Sequence, residues 1–417
     1  MSIHLKPIIN IIKQIPSMDS IEFSDDNVRV WILGAGKASV AMAVELIKRL
    51  PVAPYDGIII SPIERKIKNI QVFKGTHPYP SSKNVAASYE LLEVAKSIPK
   101  GDTVFFCLSG GASSLLLIPP YGVEIEDVEI TFKLLLESGA AIKEINAVRK
   151  HLCELKGGKL GQSLSHTNLT TLIISDVPGN DITTIGSGPT VGDNTSYKDA
   201  ELVLNKYGLW SKIPLSVQLY IQLGVEGDIQ ENIAPESVLF ETHTTKIVSS
   251  AEILAEQVSE YLKLHGYDTW VAPKAYSDNV RHIAKIISAK AISVLSKNYP
   301  VNKPATLVFY GESYVDVKGQ GKGGRNQELA LLCALSLEGQ HDVTMISLGT
   351  DGIDGPTDVA SAIIDSFTTL KARKNKLNPE EFIINNDSYH FHEHMETLIK
   401  TGATGNNLMD LQVLFVE

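Results

Sequence analysis

The sequence predicts an α/β protein with a parallel sheet covered on both faces, spread over two or three domains. Three observations carry this. Short unbroken apolar runs alternate with helical periodicity, as strands buried on both faces require. Five of those runs end in glycine, serine or acidic clusters, and open α/β sheets gather ligands beyond the carboxyl ends of their strands. The chain has 417 residues, more than one domain of about 100–200 residues holds.

The elements follow in order. VRVWIL (28–33) reads as a buried strand and ends in GAGKAS (34–39). In the helix after it Val40, Ala43, Val44 and Ile47 recur at i, i+3, i+4 and i+7. GIIIS (57–61), TVFFCL (103–108) and LTTLIIS (169–175) are further strands; the last two run into SGGASS and DVPGND. Strand signals fade between Tyr207 and Thr244, so a domain boundary is expected at 235/236. Beyond it the rhythm resumes with KIVSS, a helix around AEILAEQVSEYLKLHG, and YDTWVA. ATLVFYGES (305–313) and VTMISLGTDG (343–352) complete the strands read here.

The formal net charge of −10 argues against a nucleic-acid or anionic-membrane binder, since both need a basic surface. It leaves room for a small basic pocket. Cys107, Cys153 and Cys333 are odd in number and form no CxxC, so a reducing, cytoplasmic setting is expected. MSIHLKPIINIIKQIPSMDS lacks the apolar core and cleavage site of a leader, and no run reaches the length of a membrane span.

Polar chemistry concentrates in a few stretches. GAGKAS matches neither a P-loop, because Trp31 and Ala38 stand where glycine and Ser or Thr belong, nor a dinucleotide fingerprint, because Ser39 stands where the third glycine belongs. It reads as a tight turn, or as an anion site at a helix start with Lys37 adding a point charge. Ser109, Gly110, Gly111, Ala112, Ser113 and Ser114 offer bare backbone and hydroxyls for a carboxylate or phosphate. In SDVPGNDITTIGSGPTVGD, Asp176 and Asp181 are candidate bases or metal ligands, with turn capping as the plain reading.

GQGKGGRNQELAL (319–331) places Gly323, Gly324 and Arg325 at the mouth of a helix expected near Asn326. Arginine grips phosphate or carboxylate oxygens in pairs, so this stretch reads as an anion holder; a mobile lid is the alternative. GTDGIDGPTDVASAIID sets Asp351, Asp354 and Asp358 close in sequence. Magnesium suits such a stretch better than calcium, because a nucleotide site needs only one or two carboxylates. HFHEH (390–394) lacks the HExxH spacing of a zinc site.

Together GAGKAS, THPYPSSKN (76–84), LSGGASSLL, INAVRKHLCELKGGKL, SDVPGNDITTIGSGPTVGD, GRNQELAL, GTDGIDGPTDVASAIID and TGATGNNLMDLQVLFV resemble the glycerate 2-kinase family. They span nearly the whole chain in that family's order. The resemblance implies two domains: a Rossmann-like doubly wound sheet over 1–235 and an α/β domain of the MOFRL type over 236–417, with the active site in the cleft between them. It implies transfer of the ATP γ-phosphoryl group to the 2-hydroxyl of D-glycerate with Mg²⁺. Lys37 and Arg325 are implied in the active site. Asp176 or Asp181 is read as the base, Asp351 as the metal ligand, and Asn407 as a substrate contact. A hydroxypyruvate reductase using NAD(P)H is the rival reading, as is a kinase for another small hydroxy acid. A homodimer is expected on base rates, and a role in non-phosphorylating sugar breakdown follows from the substrate.

Overall fold

A computed structural model describes residues 2–14, 29–51, 53–340 and 342–417. The chain forms two compact units, Ile15–Val248 and Met1–Gln14 together with Ser249–Glu417.

The first unit is built on a sheet of β1 (Val30–Ala35), β2 (Asp56–Ser61), β3 (Gln71–Lys74), β4 (Thr103–Ser109), β5 (Asn168–Ile174) and β6 (Thr244–Ser249). Their order is β3-β2-β1-β4-β5-β6, and β1 to β5 are parallel. Every residue of β1 is buried, as its apolar run demands; Val28, read as the start of this strand, lies outside the described residues. Ile32, Leu33 and Phe106 are almost completely buried, and each such side chain contributes roughly 1.5–3 kcal/mol. Trp31 spends its indole N–H on Asp102, 2.8 Å away, so the polar atom of this large side chain is satisfied. The strand order reverses direction between β1 and β4. The loops after these strands lie side by side at that switch point, the place where open α/β sheets gather ligands.

This sheet continues beyond the division expected at 235/236. β6 adds to its edge next to β5. The KIVSS run is legible as a strand, but nothing in a short apolar run says which sheet it joins.

The second unit has a mixed sheet of β7 (Asp268–Val271), β8 (Ala305–Gly311), β9 (Val343–Gly349), β10 (Ser361–Asp365), β11 (Leu398–Ile399) and β12 (Asp410–Val416). The order is β11-β10-β9-β12-β8-β7. Only β7 and β8 pair in parallel; β12 runs antiparallel to both β8 and β9. The expectation of a parallel sheet, read from the strands before residue 235, holds for β1 to β5. The helix Ser2–Lys13 belongs to this unit. Ile8 and Ile12 are buried, His4 Nδ1 lies 3.2 Å from the Tyr261 hydroxyl, and Asn406 donates to the Ile12 carbonyl at 2.7 Å. The rest of the N-terminal stretch, residues 1 and 15–20, lies outside the described residues.

Among the described residues no helix is long and apolar enough to cross a membrane. All three cysteines are buried thiols. Burial pushes Cys107 and Cys333 up to about 12, which keeps them unreactive.

Candidate active site

The two loops at the switch point are tied to each other. The Lys37 N–H donates to the Gly110 carbonyl at 2.9 Å, and the Ala38 N–H to Ser109 Oγ at 2.9 Å. Ser39, in place of a third glycine, is buried and donates to the Gly36 carbonyl at 2.7 Å. The β1 loop is thus braced by the β4 loop from below.

Gly110 and Gly111 directly follow β4. The Asp176 carboxylate, from the loop after β5, packs so closely on Gly110 that a methyl group there would collide with it. Gly111 has φ of +86°, a left-handed conformation suited to glycine. A methyl group on it would stand 2.9 Å from the His77 ring and 3.3 Å from Lys37 Cγ. So Lys37, His77 and Asp176 gather around two adjacent glycines. Burial and then the charge of Lys37 lower His77 to about 4, so its imidazole is neutral near neutral pH.

The serines divide their roles. Ser114 turns inward and donates to the Gly111 carbonyl at 3.1 Å. Ser113 Oγ lies 3.0 Å from Ser187 Oγ. Ser187 already donates to Asn146 Oδ1 at 3.0 Å, so Ser113 is the donor in that contact. Asp181 stands apart from this group. Its Oδ1 accepts from the Thr183 N–H at 3.0 Å and hydroxyl at 2.7 Å, and Lys143 lies 3.4 Å from its other oxygen. Burial would raise this carboxyl, but Thr183 and Lys143 outweigh it and lower it. Asp181 is a turn-capping residue with a surface partner.

In the second unit Arg325 begins the helix Arg325–Ser336. Its Nε and Nη2 donate to both oxygens of Asp410 at 2.7 and 3.1 Å, and its Nη1 lies 2.7 Å from Glu312. Asn326 adds a third donor to Asp410 at 2.8 Å. Burial would lower the Arg325 guanidinium, but Asp410 and Glu312 raise it above its ordinary value. Burial raises Asp410 to about 7 against the pull of Arg325.

The mouth of this helix is not open in the way the glycine-rich stretch suggests. Asp354 caps it, accepting from the Asn326 and Gln327 N–H groups at 3.0 and 2.8 Å. The anion that the helix dipole favours is one of the protein's own carboxylates. The glycines admit the chain itself. Gly319 and Gly321 lie against residues 385–387, Gly323 against Ser388 and Gly324 against Asp354. The loop's N–H groups are matched in series: Lys318 and Gly319 to Asn386 Oδ1, Gln320 to Asn385 Oδ1, and Lys322 to Asp387 Oδ1. Lys322 Nζ sits 3.8 Å from the centre of the Tyr389 ring. This is a stitched loop, with Arg325 partly exposed at its end.

The three aspartates of 351–358 do not converge. Asp351 caps its own turn through the Ile353 N–H at 3.0 Å, Asp354 caps the helix, and Asp358 pairs with Lys400 at 2.9 Å. Among the described residues no three acidic, histidine or cysteine side chains are grouped to hold a metal. The histidines of 390–394 are engaged individually. His390 meets Asp387 at 2.6 Å, buried His392 bonds the Gln327 carbonyl and Thr397, and His394 meets the His390 carbonyl. Asn407 is half-buried; its neighbour Asn406 holds the first helix.

Sequence reasoning gave no role to His77, Asn84, Asn146, Glu312 or Asp410. His77 and Asn84 stood in a quoted motif, THPYPSSKN, without an assignment. Asp410 heads a strand, where its charge is hidden among apolar neighbours.

Comparison with known proteins agrees with this architecture. A family model described as a domain of unknown function (DUF4147) matches residues 6–222, and the MOFRL family model matches residues 305–410. A glycerate 2-kinase of Pyrococcus horikoshii is 32% identical over 413 residues, covering 96% of this chain and 92% of that protein. A D-glycerate 2-kinase of Thermotoga maritima is 33% identical over 386 residues, covering 92% and 89%. A protein of Agrobacterium vitis named a putative hydroxypyruvate reductase is 31% identical over 392 residues, covering 93% and 87%. The crystal structure of a glycerate kinase from Thermotoga maritima superposes with a TM-score of 0.88 at 33% identity, covering 99% of this chain and 100% of that one. The likeness runs through both units and at this identity concerns more than the fold: the chain belongs to the glycerate 2-kinase family.

Proposed function

We propose that the protein transfers the γ-phosphoryl group of ATP to the 2-hydroxyl of D-glycerate, giving 2-phosphoglycerate and ADP. The observation that carries this reading is the meeting of Lys37, Gly110, Gly111 and Asp176 at the switch point of the parallel sheet. A cation and bare backbone suit phosphate and carboxylate oxygens, and a carboxylate beside them suits a hydroxyl that must lose its proton.

Phosphoryl transfer asks a protein mainly for positioning and charge stabilisation. The 2-hydroxyl oxygen of glycerate bonds to the γ-phosphorus as the bond from that phosphorus to the β,γ-bridging oxygen breaks. The hydroxyl proton passes to the Asp176 carboxylate, and the bridging oxygen leaves on ADP. Lys37 stabilises the charge on the transferring group. Arg325, oriented by Asp410 and Glu312, offers the remaining edge of its guanidinium to an anion. A metal carried on the triphosphate needs only one or two protein carboxylates. Asp351 is the residue assigned to it, and Mg²⁺ there would neutralise the phosphate oxygens. A homodimer and a cytoplasmic setting belong to the same reading, as does the return of free glycerate to central metabolism.

The test is ³¹P NMR of the purified protein with ATP, Mg²⁺ and D-glycerate. A resonance of 2-phosphoglycerate, absent without Mg²⁺, is expected. Appearance of 3-phosphoglycerate would overturn the regiochemistry alone. Intact ATP, together with hydroxypyruvate-dependent loss of NADH absorbance, would establish the reductase that some relatives are named for.

A further inference from the structure

His77 has no part in the chemistry above, yet it packs against the same pair of glycines. The loop that carries it is held from within. Asn84, completely buried in the helix Ser82–Ser97, accepts from the Thr76 N–H at 2.8 Å and donates to the Thr76 carbonyl at 2.8 Å. The same side-chain amide donates to the Ser114 carbonyl at 2.8 Å. One asparagine therefore clamps the residue before His77 to the end of the glycine–serine turn. Gly75 adds a bond from its N–H to the Ser61 carbonyl at 3.0 Å. The result is an imidazole with an open face, fixed against Gly111 while Asp176 is fixed against Gly110.

The two side chains thus pack against neighbouring glycines, Asp176 on Gly110 and His77 on Gly111. Glycerate carries two hydroxyls on neighbouring carbons, one for each group. Its carboxylate and the ATP phosphates need donors, which Lys37 and bare backbone provide. Its hydroxyls need acceptors, and only one of them loses its proton. An imidazolium beside Lys37 would be two cations in contact, so proton uptake falls to Asp176. The neutral ring suits the hydroxyl that keeps its proton.

We propose that His77 Nε2 accepts a hydrogen bond from the 3-hydroxyl of D-glycerate, so that the 2-hydroxyl alone reaches Asp176 and the phosphoryl group. His77 is then the residue that recognises the terminal hydroxyl and fixes which oxygen is phosphorylated. The inference rests on the kinase reading above and adds a specificity residue to it.

D-Lactate, which has the 2-hydroxyl and lacks the 3-hydroxyl, is the probe. The quantity measured is the ratio of kcat/KM for D-glycerate to that for D-lactate. His77→Ala should lower this ratio by about 10²-fold, leave the KM for ATP within about twofold, and yield some 3-phosphoglycerate by ³¹P NMR. His77→Gln, whose amide oxygen is an acceptor, should recover part of the ratio. A ratio unchanged in both folded variants overturns the inference, as does a loss expressed only in the KM for ATP. Should His77→Ala fail to fold, ¹⁵N NMR of the wild-type His77 ring decides. A shift of Nε2 with D-glycerate that D-lactate does not produce supports the assignment, and an unmoved resonance overturns it. These outcomes require a wild-type protein that phosphorylates D-glycerate; if ATP stays intact, the kinase reading itself fails.

Discussion

Lys37 and Arg325 carry the same charge in opposite settings. Arg325 is gripped by two carboxylates, and Lys37 stands near the neutral imidazole of another loop. Their substitutions should therefore differ in kind. Lys37→Ala should lower kcat by about 10²–10³, the loss typical of one preorganised donor to developing charge, with an unchanged melting temperature by calorimetry. Wild-type turnover in that variant would remove Lys37 from the mechanism. Arg325→Lys replaces a fork engaging Nε, Nη1 and Nη2 with one ammonium, so it should lose both activity and stability. Asp410→Asn leaves the shape and removes a buried charge from under Arg325. A destabilisation of about 1.5–3 kcal/mol in urea unfolding is expected, the range for losing hydrogen bonds to a charged partner, since Arg325 is partly exposed and keeps Glu312. A smaller effect would mean that Glu312 suffices to hold the arginine.

At the scale of elements, one short turn and one helix start decide whether the site residues stand where they do. Gly111→Ala forces a side chain into a left-handed conformation and against the His77 ring. It should depress kcat/KM for D-glycerate more than it depresses the melting temperature. Asp354→Ala removes the acceptor for two N–H groups at the start of Arg325–Ser336. About 1–2 kcal/mol should be lost on capping grounds, with Asp354→Asn retaining a good part of it. Glycine loops at strand ends were legible in the sequence, because bare backbone next to a buried strand has few uses. Which loop serves a ligand was not legible. Gly111 leaves room for the His77 ring and Gly321 leaves room for residues 385–387, and both are simply glycine in the sequence. The strands that could be read, such as TVFFCL, are buried on both faces. β3 is short and half-exposed, and β10 and β12 were hidden inside stretches whose aspartates and asparagines drew attention to chemistry.

At the scale of the whole molecule, stability should depend on pH through His392. This ring is fully buried in the second unit. Its Nε2–H donates to the Gln327 carbonyl, and its Nδ1 accepts from the Thr397 hydroxyl. Burial lowers it to about 4 from the ordinary 6.5. The unfolded chain binds a proton more readily, so stability is intact above about pH 6.5 and falls as pH drops toward 4. The contribution is on the order of 2–3 kcal/mol. A melting-temperature profile should show this decline, and His392→Gln should flatten it. The fold class was legible because apolar runs and their spacing report burial directly. The make-up of each unit was not, since the helix Ser2–Lys13 packs with elements more than 200 residues away, and local pattern carries no such information.

The place of β12 has a consequence for how the protein is made. β8 and β9 flank it on either side, and both precede it in sequence. Until residues 410–416 have left the ribosome, the middle of that sheet is a gap with two unpaired apolar strand edges. At about 5–20 residues per second, the first unit has time to fold while the other is still being synthesised. The second must wait for its central strand and meanwhile shield its open edges. Nascent chains arrested just short of residue 410 should give a protease-resistant core from the first unit alone and should recruit chaperones through the second.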